Sequence, residues 1–345
     1  MKQNILRNLL VAASLAATGS ALADSFTVEP FTIAAGEEKV VTLHLDGTRK
    51  YIGFQVDVYL PEGVTIATNS RGKLLLSVNQ DMQEEQGDHG VMGNLNGDHY
   101  TIILDSDYNY ELKSASGDVL DMTLVASDQI STGRQQIVLK RQILNDAAIN
   151  EYRFDDAELS FDTEIDVTVS DLGYATFSWP RDLDFTNAGV QAFIATEAND
   201  NLLLQPVEKV PAGTGIVLKG DAGTYNPQTI DEATDDVSGN LLTGTASASY
   251  TVEGTNTYVL SKNSDDTPGF RRAAEGLEIA KYKAYLTLTD GLARSFFGFA
   301  DNTTTGITYT QRSAGDAQVF DLSGRRVQQP DRGLYIMDGK VVVVK

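Results

Sequence analysis

The sequence predicts an all-β protein, and three observations carry that reading. Apolar residues alternate with polar ones at period two through the first half of the chain. Clusters of Gly, Asn, Asp and Pro separate these runs at short spacing. No long segment repeats apolar residues at the helical period. Short strands with regular turns and no helical stretch indicate a β-sandwich.

The clearest run is Tyr51–Leu60. Ile52, Phe54, Val56, Val58 and Leu60 share one face, and Gln55, Asp57 and Tyr59 share the other, the pattern of a half-buried strand. Pro61-Glu62-Gly63 ends it as a turn. The same logic marks Lys39–Leu45, Tyr100–Asp105, Val119–Ala126 and Gln135–Lys140. Asn94-Leu95-Asn96-Gly97-Asp98 reads as a loop, with Asn96-Gly97 suited to a tight hairpin turn. Further along, Gln191–Glu197 and Asn201–Val207 flank a turn at Asn199-Asp200. Later strands are expected at Ile216–Gly220, Thr257–Leu260, Lys283–Leu288 and Ser295–Phe299. Gly239–Tyr250 and Ser261–Gly269 read as loops from their Gly, Ser, Thr and Asp content.

The chain opens as a secretory leader. Lys2 and Arg7 precede a short apolar run, Leu9–Ala17, and Ala21-Leu22-Ala23 fits the small-residue cleavage pattern, so the mature chain is expected to begin at Asp24. The run is shorter than the roughly 20 residues a membrane helix needs, and no integral membrane segment is expected after its removal. Expected divisions are therefore 1–23 as signal peptide, 24–169 and 170–308 as two β-rich domains, and 309–345 as a short β tail.

Composition narrows the chemistry. The 345 residues contain no cysteine, which rules out disulfides, thiolate zinc sites and cysteine nucleophiles. The net charge is −21. Leader and tail are each net positive by two, so residues 24–308 carry −25. A field of that sign repels phosphate backbones and anionic lipid, so nucleic acid is not an expected partner. Neither a nucleophile elbow, nor the helical His-Glu zinc motif, nor a phosphate loop is present. No carboxylate pair is singled out among 48 acidic residues. The chain is therefore read as no enzyme.

Two constellations remain as candidates. Tyr100, Tyr108 and Tyr110 lie near Asp105, Asp107 and Asn109 at a strand end, where aromatic faces with polar neighbours suit a glycan. The alternative is that these tyrosines cap the core with their hydroxyls in water. Asn94, Asn96 and Asp98 place oxygens at alternate positions, faintly like a calcium loop, although turn chemistry accounts for the same residues. No cofactor is otherwise expected. The three histidines are His44, His89 and His99. With Asn96-Gly97 as the turn, His89 would pair with Leu104 and lie about 17 Å from His99, at about 3.4 Å per residue. One metal ion cannot span that distance, so solvated loop or strand-end histidines are expected. Trp179, the one tryptophan, is expected as a core or interdomain anchor.

Several segments resemble known families. Tyr51–Val64 (YIGFQVDVYLPEGV), Tyr100–Ser106 and Gly117–Leu124 resemble strands of cohesin-like domains, over roughly 140 residues. The resemblance implies a jelly-roll sandwich of the kind some carbohydrate-binding modules share. Gly173-Tyr174-Ala175-Thr176, Pro211–Gly215, Tyr258–Ser261 and Ala284-Tyr285-Leu286 resemble a β-module of secreted Gram-negative proteins. Val319–Val327, Gly333–Ile336, Asp338–Lys340 and the closing valines resemble the C-terminal sorting domain of type IX secretion substrates. Three short strands are expected there, with turns at Ser323-Gly324, Asp331–Gly333 and Asp338-Gly339. The resemblances imply an exported, non-catalytic protein of the cell surface or medium. Its tail would meet the secretion machinery, and its first domain would bind a glycan or a surface protein. A structural scaffold is the alternative role, with a glycan-processing enzyme a more distant one.

Overall fold

The computed structural model describes residues 24–83, 88–198, 201–254, 256–288, 294–300, 319–320, 326–327, 332–337 and 340–344. The leader 1–23 with Ala23, the Asn199-Asp200 turn, and the tail turns at Ser323-Gly324 and Asp338-Gly339 lie outside the described residues. Two compact units emerge: Met1–Val167 with Tyr225–Asp231, and Thr168–Thr224 with Glu232–Lys345. Among the described residues there is no α-helix, only a 3-10 turn at Gln80–Met82. Among the described residues no helix is long and apolar enough to cross a membrane, which says nothing of a β-barrel.

The first unit is a β-sandwich of twelve strands. They are β1 (Ser25–Val28), β2 (Thr32–Ala34), β3 (Glu38–Asp46), β4 (Gly53–Tyr59), β5 (Val64–Ile66) and β6 (Leu76–Val78). Then follow β7 (His89–Asn96), β8 (His99–Ser106), β9 (Gly117–Ala126), β10 (Gly133–Asn145), β11 (Glu151–Phe154) and β12 (Ala157–Glu164). One sheet has the order β1-β3-β9-β5, with β6 also on β9. The other has the order β2-β12-β10-β4-β8-β7, with β11 also on β10. β1 and β2 are neighbours in sequence but belong to different sheets, and β2 joins β12 in parallel.

Period-two alternation builds the core between the sheets. Leu43, Leu45, Leu120, Met122 and Leu124 from one sheet meet Val56, Val58, Ile102, Leu104, Ile137 and Leu139 from the other, all fully buried. Each such side chain contributes about 1.5–3 kcal/mol relative to exposure. Tyr51 is buried among them, and its hydroxyl donates to the Asp24 carboxylate, which also accepts from Thr48 N at 2.7 Å. Asp24, the residue after the expected cleavage point, is thus anchored in the first unit. The segment Tyr225–Asp231 is tied to this unit through Thr229 N, which donates to Thr132 Oγ1 at 2.8 Å.

The structure corrects the reading of the β7–β8 hairpin. Asn94, Leu95 and Asn96 are strand, not loop, and the two-residue turn is Gly97-Asp98, with Gly97 at φ 70°. Asn96 pairs with His99 and His89 with Ser106, two places from the expected register. Seven rows now separate His89 from His99, about 24 Å along the strand at about 3.4 Å per residue. Glycines at 90 and 93 and asparagines at 94 and 96 hid this strand, because they carry little β-propensity. The sequence suggested a solvated His89, and the structure buries it. It points inward, is 7% exposed, and neither ring nitrogen has a hydrogen-bond partner among the described residues.

The second unit is also β. A four-stranded sheet runs in the order Tyr174–Phe177, Ile216–Lys219, Gln191–Ala198, Asn201–Val207. A five-stranded sheet runs Leu242–Gly244, Ala284–Thr287, Thr257–Lys262, Pro268–Arg272, Phe296–Gly298. Leu202, Val217, Tyr258, Phe270 and Leu286 share its core. The stretch 239–250, expected as loop, contributes the strand Leu242–Gly244. A Cβ on Gly244 would stand 2.1 Å from Ser178 Oγ, so the small residue that suggested a loop serves close packing instead. Ser261 and Lys262 likewise extend a strand, paired with Gly269 and Pro268. Trp179 is buried against Phe177 and Tyr282, with centroids at 5.8 and 4.5 Å. The C-terminal segment forms four strands rather than three, in the order Arg326–Val327, Val319–Phe320, Gly333–Met337, Lys340–Val344.

Candidate functional site

Alternation along β4, β8 and β10 sends every second side chain to the outer face of the larger sheet. Outer faces of antiparallel sheets are ordinarily polar. Here the cross-strand rows mix apolar and charged groups. One row joins Ile143, Gln55, Ile103 and Met92; the next joins Lys140, Asp57, Thr101 and Asn94. Ile143 and Ile103 are half-buried and Met92 is 59% exposed.

Asp57 is the centre of this face and is 6% exposed, although period two places it toward solvent. Arg141 covers it. The guanidinium donates from Nη2 to Oδ1 at 3.0 Å, and its Nε stands 2.9 Å from Oδ2 in the ion pair. Thr101 Oγ1 donates to Oδ1 at 2.8 Å and itself accepts from Asn96 Nδ2 at 2.9 Å. The Gln55 amide oxygen, turned toward Arg141, accepts from the same guanidinium. Such two-pronged contact fixes both partners more firmly than a single-point ion pair.

A β-bulge makes this possible. Lys140 pairs with Asp57 and Ile143 with Gln55, so β10 holds one residue more than β4 across that interval. Arg141 is that extra residue, at φ 47°, a conformation few non-glycine residues adopt. The bulge turns Lys140 and Arg141 to the same side of the sheet. Lys140 Nζ lies 5.1 Å from the centre of the Tyr59 ring, which stacks on His99 at 4.9 Å. His99 Nδ1 is 3.0 Å from Asp98 Oδ1 and Nε2 is 3.8 Å from Asp57 Oδ2. The His99 contact holds the Asp98 carboxyl below the usual carboxylate range. A shallow depression beside Tyr59, bordered by Pro61, Arg134, Gln136 and Val138, continues the face.

The aromatic loop lies at the other end of β8. Ser106 Oγ donates to Asp88 Oδ1 at 2.5 Å, and Tyr108 N donates to Asp88 Oδ2 at 3.0 Å. Tyr110 N donates to Ser106 Oγ at 2.8 Å, and Asn109 takes φ 59° between the two tyrosines. The loop therefore presents Tyr108 (75% exposed) and Tyr110 (44%) with centroids 6.2 Å apart and planes tilted by 51°. Asp105 and Asp107 are exposed beside them. Tyr100 is corrected out of this group. Its ring belongs to the core, 7% exposed, and its hydroxyl accepts from Ile66 N at 3.3 Å.

Asn94, Asn96 and Asp98 are strung along β7 and its turn rather than wrapped around a point. Asn94 and Asn96 share the outer face two rows apart, Asn96 is engaged by Thr101, and Asp98 faces His99. Among the described residues no group of three His, Asp or Glu side chains is placed to hold a metal ion. Sequence reasoning missed Arg141 and His99 as members of one site. The one signal available was the unbroken run Leu139–Asn145, in which two polar residues follow Lys140 where alternation calls for one.

No protein-family model matches the chain, and no curated protein does. Solved structures similar to it include the sixth cohesin of scaffoldin B from Acetivibrio cellulolyticus, 12% identical at TM-score 0.34, covering 41% of this chain and 100% of that one. The cohesin of a type I cohesin–dockerin complex from Clostridium thermocellum is 10% identical at TM-score 0.32, covering 43% and 98%. A non-cellulosomal cohesin from Archaeoglobus fulgidus is 10% identical at TM-score 0.31, covering 41% and 91%. At such scores the likeness carries no functional argument.

Proposed function

We propose that the first unit is a non-catalytic module that binds a protein partner on the outer face of the β10-β4-β8-β7 sheet. The observation that carries this reading is the Asp57–Arg141 pair, held at the centre of a face whose neighbouring row carries Ile143, Ile103 and Met92 around Gln55. Interfaces of this kind combine a fixed polar anchor with apolar area and exclude water around it. Arginine is the residue type most suited to that anchor, because its fork stays ordered when a partner covers it. In the same reading the protein is exported, begins at Asp24, and uses its tail for delivery to the surface or medium.

A photo-crosslinking residue introduced at Met92 or Ile103 tests the site on cells. Both positions should capture the same protein, and Val40, 61% exposed on the opposite sheet, should not. Affinity for that protein should fall at least tenfold in Arg141→Ala. Equal capture from Val40, or unchanged affinity, would overturn the reading.

A second reading is favoured by the fixed, exposed Tyr108–Tyr110 pair: a glycan contact on the Asp105–Glu111 loop. Selective glycan-array binding that weakens in Tyr108→Ala and Tyr110→Ala would support it. Deleting residues 309–345 tests delivery, since surface display that survives the deletion would leave the tail a structural element.

A further inference from the structure

The last strand of the larger sheet offers something different from its face. β7 pairs only with β8, and among the described residues no backbone group of Gly90–Asn96 bonds to any other strand. The two-residue turn fixes which groups are free. With Gly97-Asp98 as the loop, Asn96 and His99 exchange both backbone hydrogen bonds, and the pairs then alternate. Val91, Gly93 and Leu95 therefore direct their N–H and C=O groups away from β8; Leu74 and Leu76 of the β6 segment approach at Gly93, and no described backbone group takes these hydrogen bonds up. Proteins usually guard such an edge with charge, proline or a bulge. From His89 to Asn96 this strand carries no Lys, Arg, Asp, Glu or Pro.

We propose that the β7 edge receives an extended, basic peptide segment of another protein, added as a further antiparallel strand. Backbone pairing along an open edge is an established route for extended peptides. The charge of the occupant follows from what surrounds the edge. Asp88 precedes the strand, Asp98 sits in its turn with 84% of its side chain exposed, and Asp105 lies opposite Gly90 on β8. Arg71 and Lys73, on the loop whose Leu74 packs beneath Gly93, are outnumbered in a chain of net charge −21. Lysines alternating with apolar residues match the period-two spacing of an added strand. This edge is separate from the face proposed above, because it uses backbone groups rather than the Asp57–Arg141 anchor.

Fluorescence anisotropy on the full chain, with a labelled Lys-Val-Lys-Val-Lys-Val-Lys peptide, tests the proposal. The peptide should bind, its fully N-methylated form should bind at least tenfold more weakly, and a Glu-Val peptide of equal length should not bind. Leu95→Pro removes one outward N–H without touching the β8 ladder and should weaken binding about tenfold, while Leu95→Ala stays within about twofold. Arg141→Ala should leave peptide affinity unchanged, which separates this site from the face. Absence of binding, equal binding of the N-methylated or the acidic peptide, or an inert Leu95→Pro in a chain that keeps its circular dichroism spectrum would each overturn the proposal. Should Leu95→Pro fail to fold, the comparison of methylated and unmodified peptide on the native chain decides it.

Discussion

The two faces of β8 obey different rules although their residues alternate along one strand. Inward, Ile102 and Leu104 are fully buried in a core that only hydrophobicity selects. Outward, Ile103 is half-buried beside Thr101, whose hydroxyl serves Asp57. The inner face would tolerate other apolar residues of similar volume, as close-packed cores do. The outer face would not tolerate even an Arg-to-Lys exchange at 141, because a point charge cannot reproduce the two-pronged contact. In the function proposed above, interchangeable residues mark the part that folds, and irreplaceable ones mark the part that would recognise a partner.

Mutations can break that contrast, beginning where the effect is greatest. Leu104→Ala should cost about 3 kcal/mol in stability by leaving a core cavity, read as a shift in the urea midpoint. Asp57→Ala comes next, at roughly 2 kcal/mol, because Thr101 and Arg141 each lose an acceptor; Arg141 is half exposed and recovers water, which keeps the loss below that of a fully buried pair. A loss as large as that of Leu104→Ala would mean that the outer network is a second core. His89→Leu should move the other way, stabilising the chain by about 1 kcal/mol, since an unpartnered buried imidazole is replaced by an apolar group on the apolar face. Ile103→Ala should change stability by less than about 1 kcal/mol, since a half-buried side chain loses only part of its transfer free energy, while weakening the crosslinked partner severalfold.

The smallest effect concerns the end of β10. Asp146 accepts from Asn150, from the backbone N–H of Ala148 and from the Tyr152 hydroxyl, and the Asn150 contacts lead in holding its pKa down to about 2. Its folded value lies below the ordinary carboxylate value of about 4. Its contribution is therefore complete above about pH 4 and disappears as pH falls toward 2. Carboxyl NMR titration of Asp146, with the Asn150→Ala variant for comparison, checks the direction.

Much of the fold was legible and much of the site was not, for a single physical reason. Phe54, Val56 and Val58 announce β4 because burial on one face leaves a period-two trace in the sequence. Asp57 obeys that period and is buried anyway, by a guanidinium 84 positions away, and no local pattern records so distant a partner. β7 escaped notice because its glycines and asparagines are what a loop would use. Tyr100 misled in the opposite sense, since an aromatic residue beside Asp105 looks the same on paper whether its ring faces solvent or Ile66.

The bulge at Arg141 also bears on how such a module could diverge. Remove that one residue and β10 regains strict alternation, with Ile143 still opposite Gln55 and Leu144 still directed into the core. The ladder closes, the strained φ disappears, and the guanidinium goes with it. If the outer face binds as proposed, a one-codon deletion would thus be the mildest event for folding and the most complete for recognition. A gap in an alignment at this position would then mark a branch that kept the scaffold and lost the proposed contact.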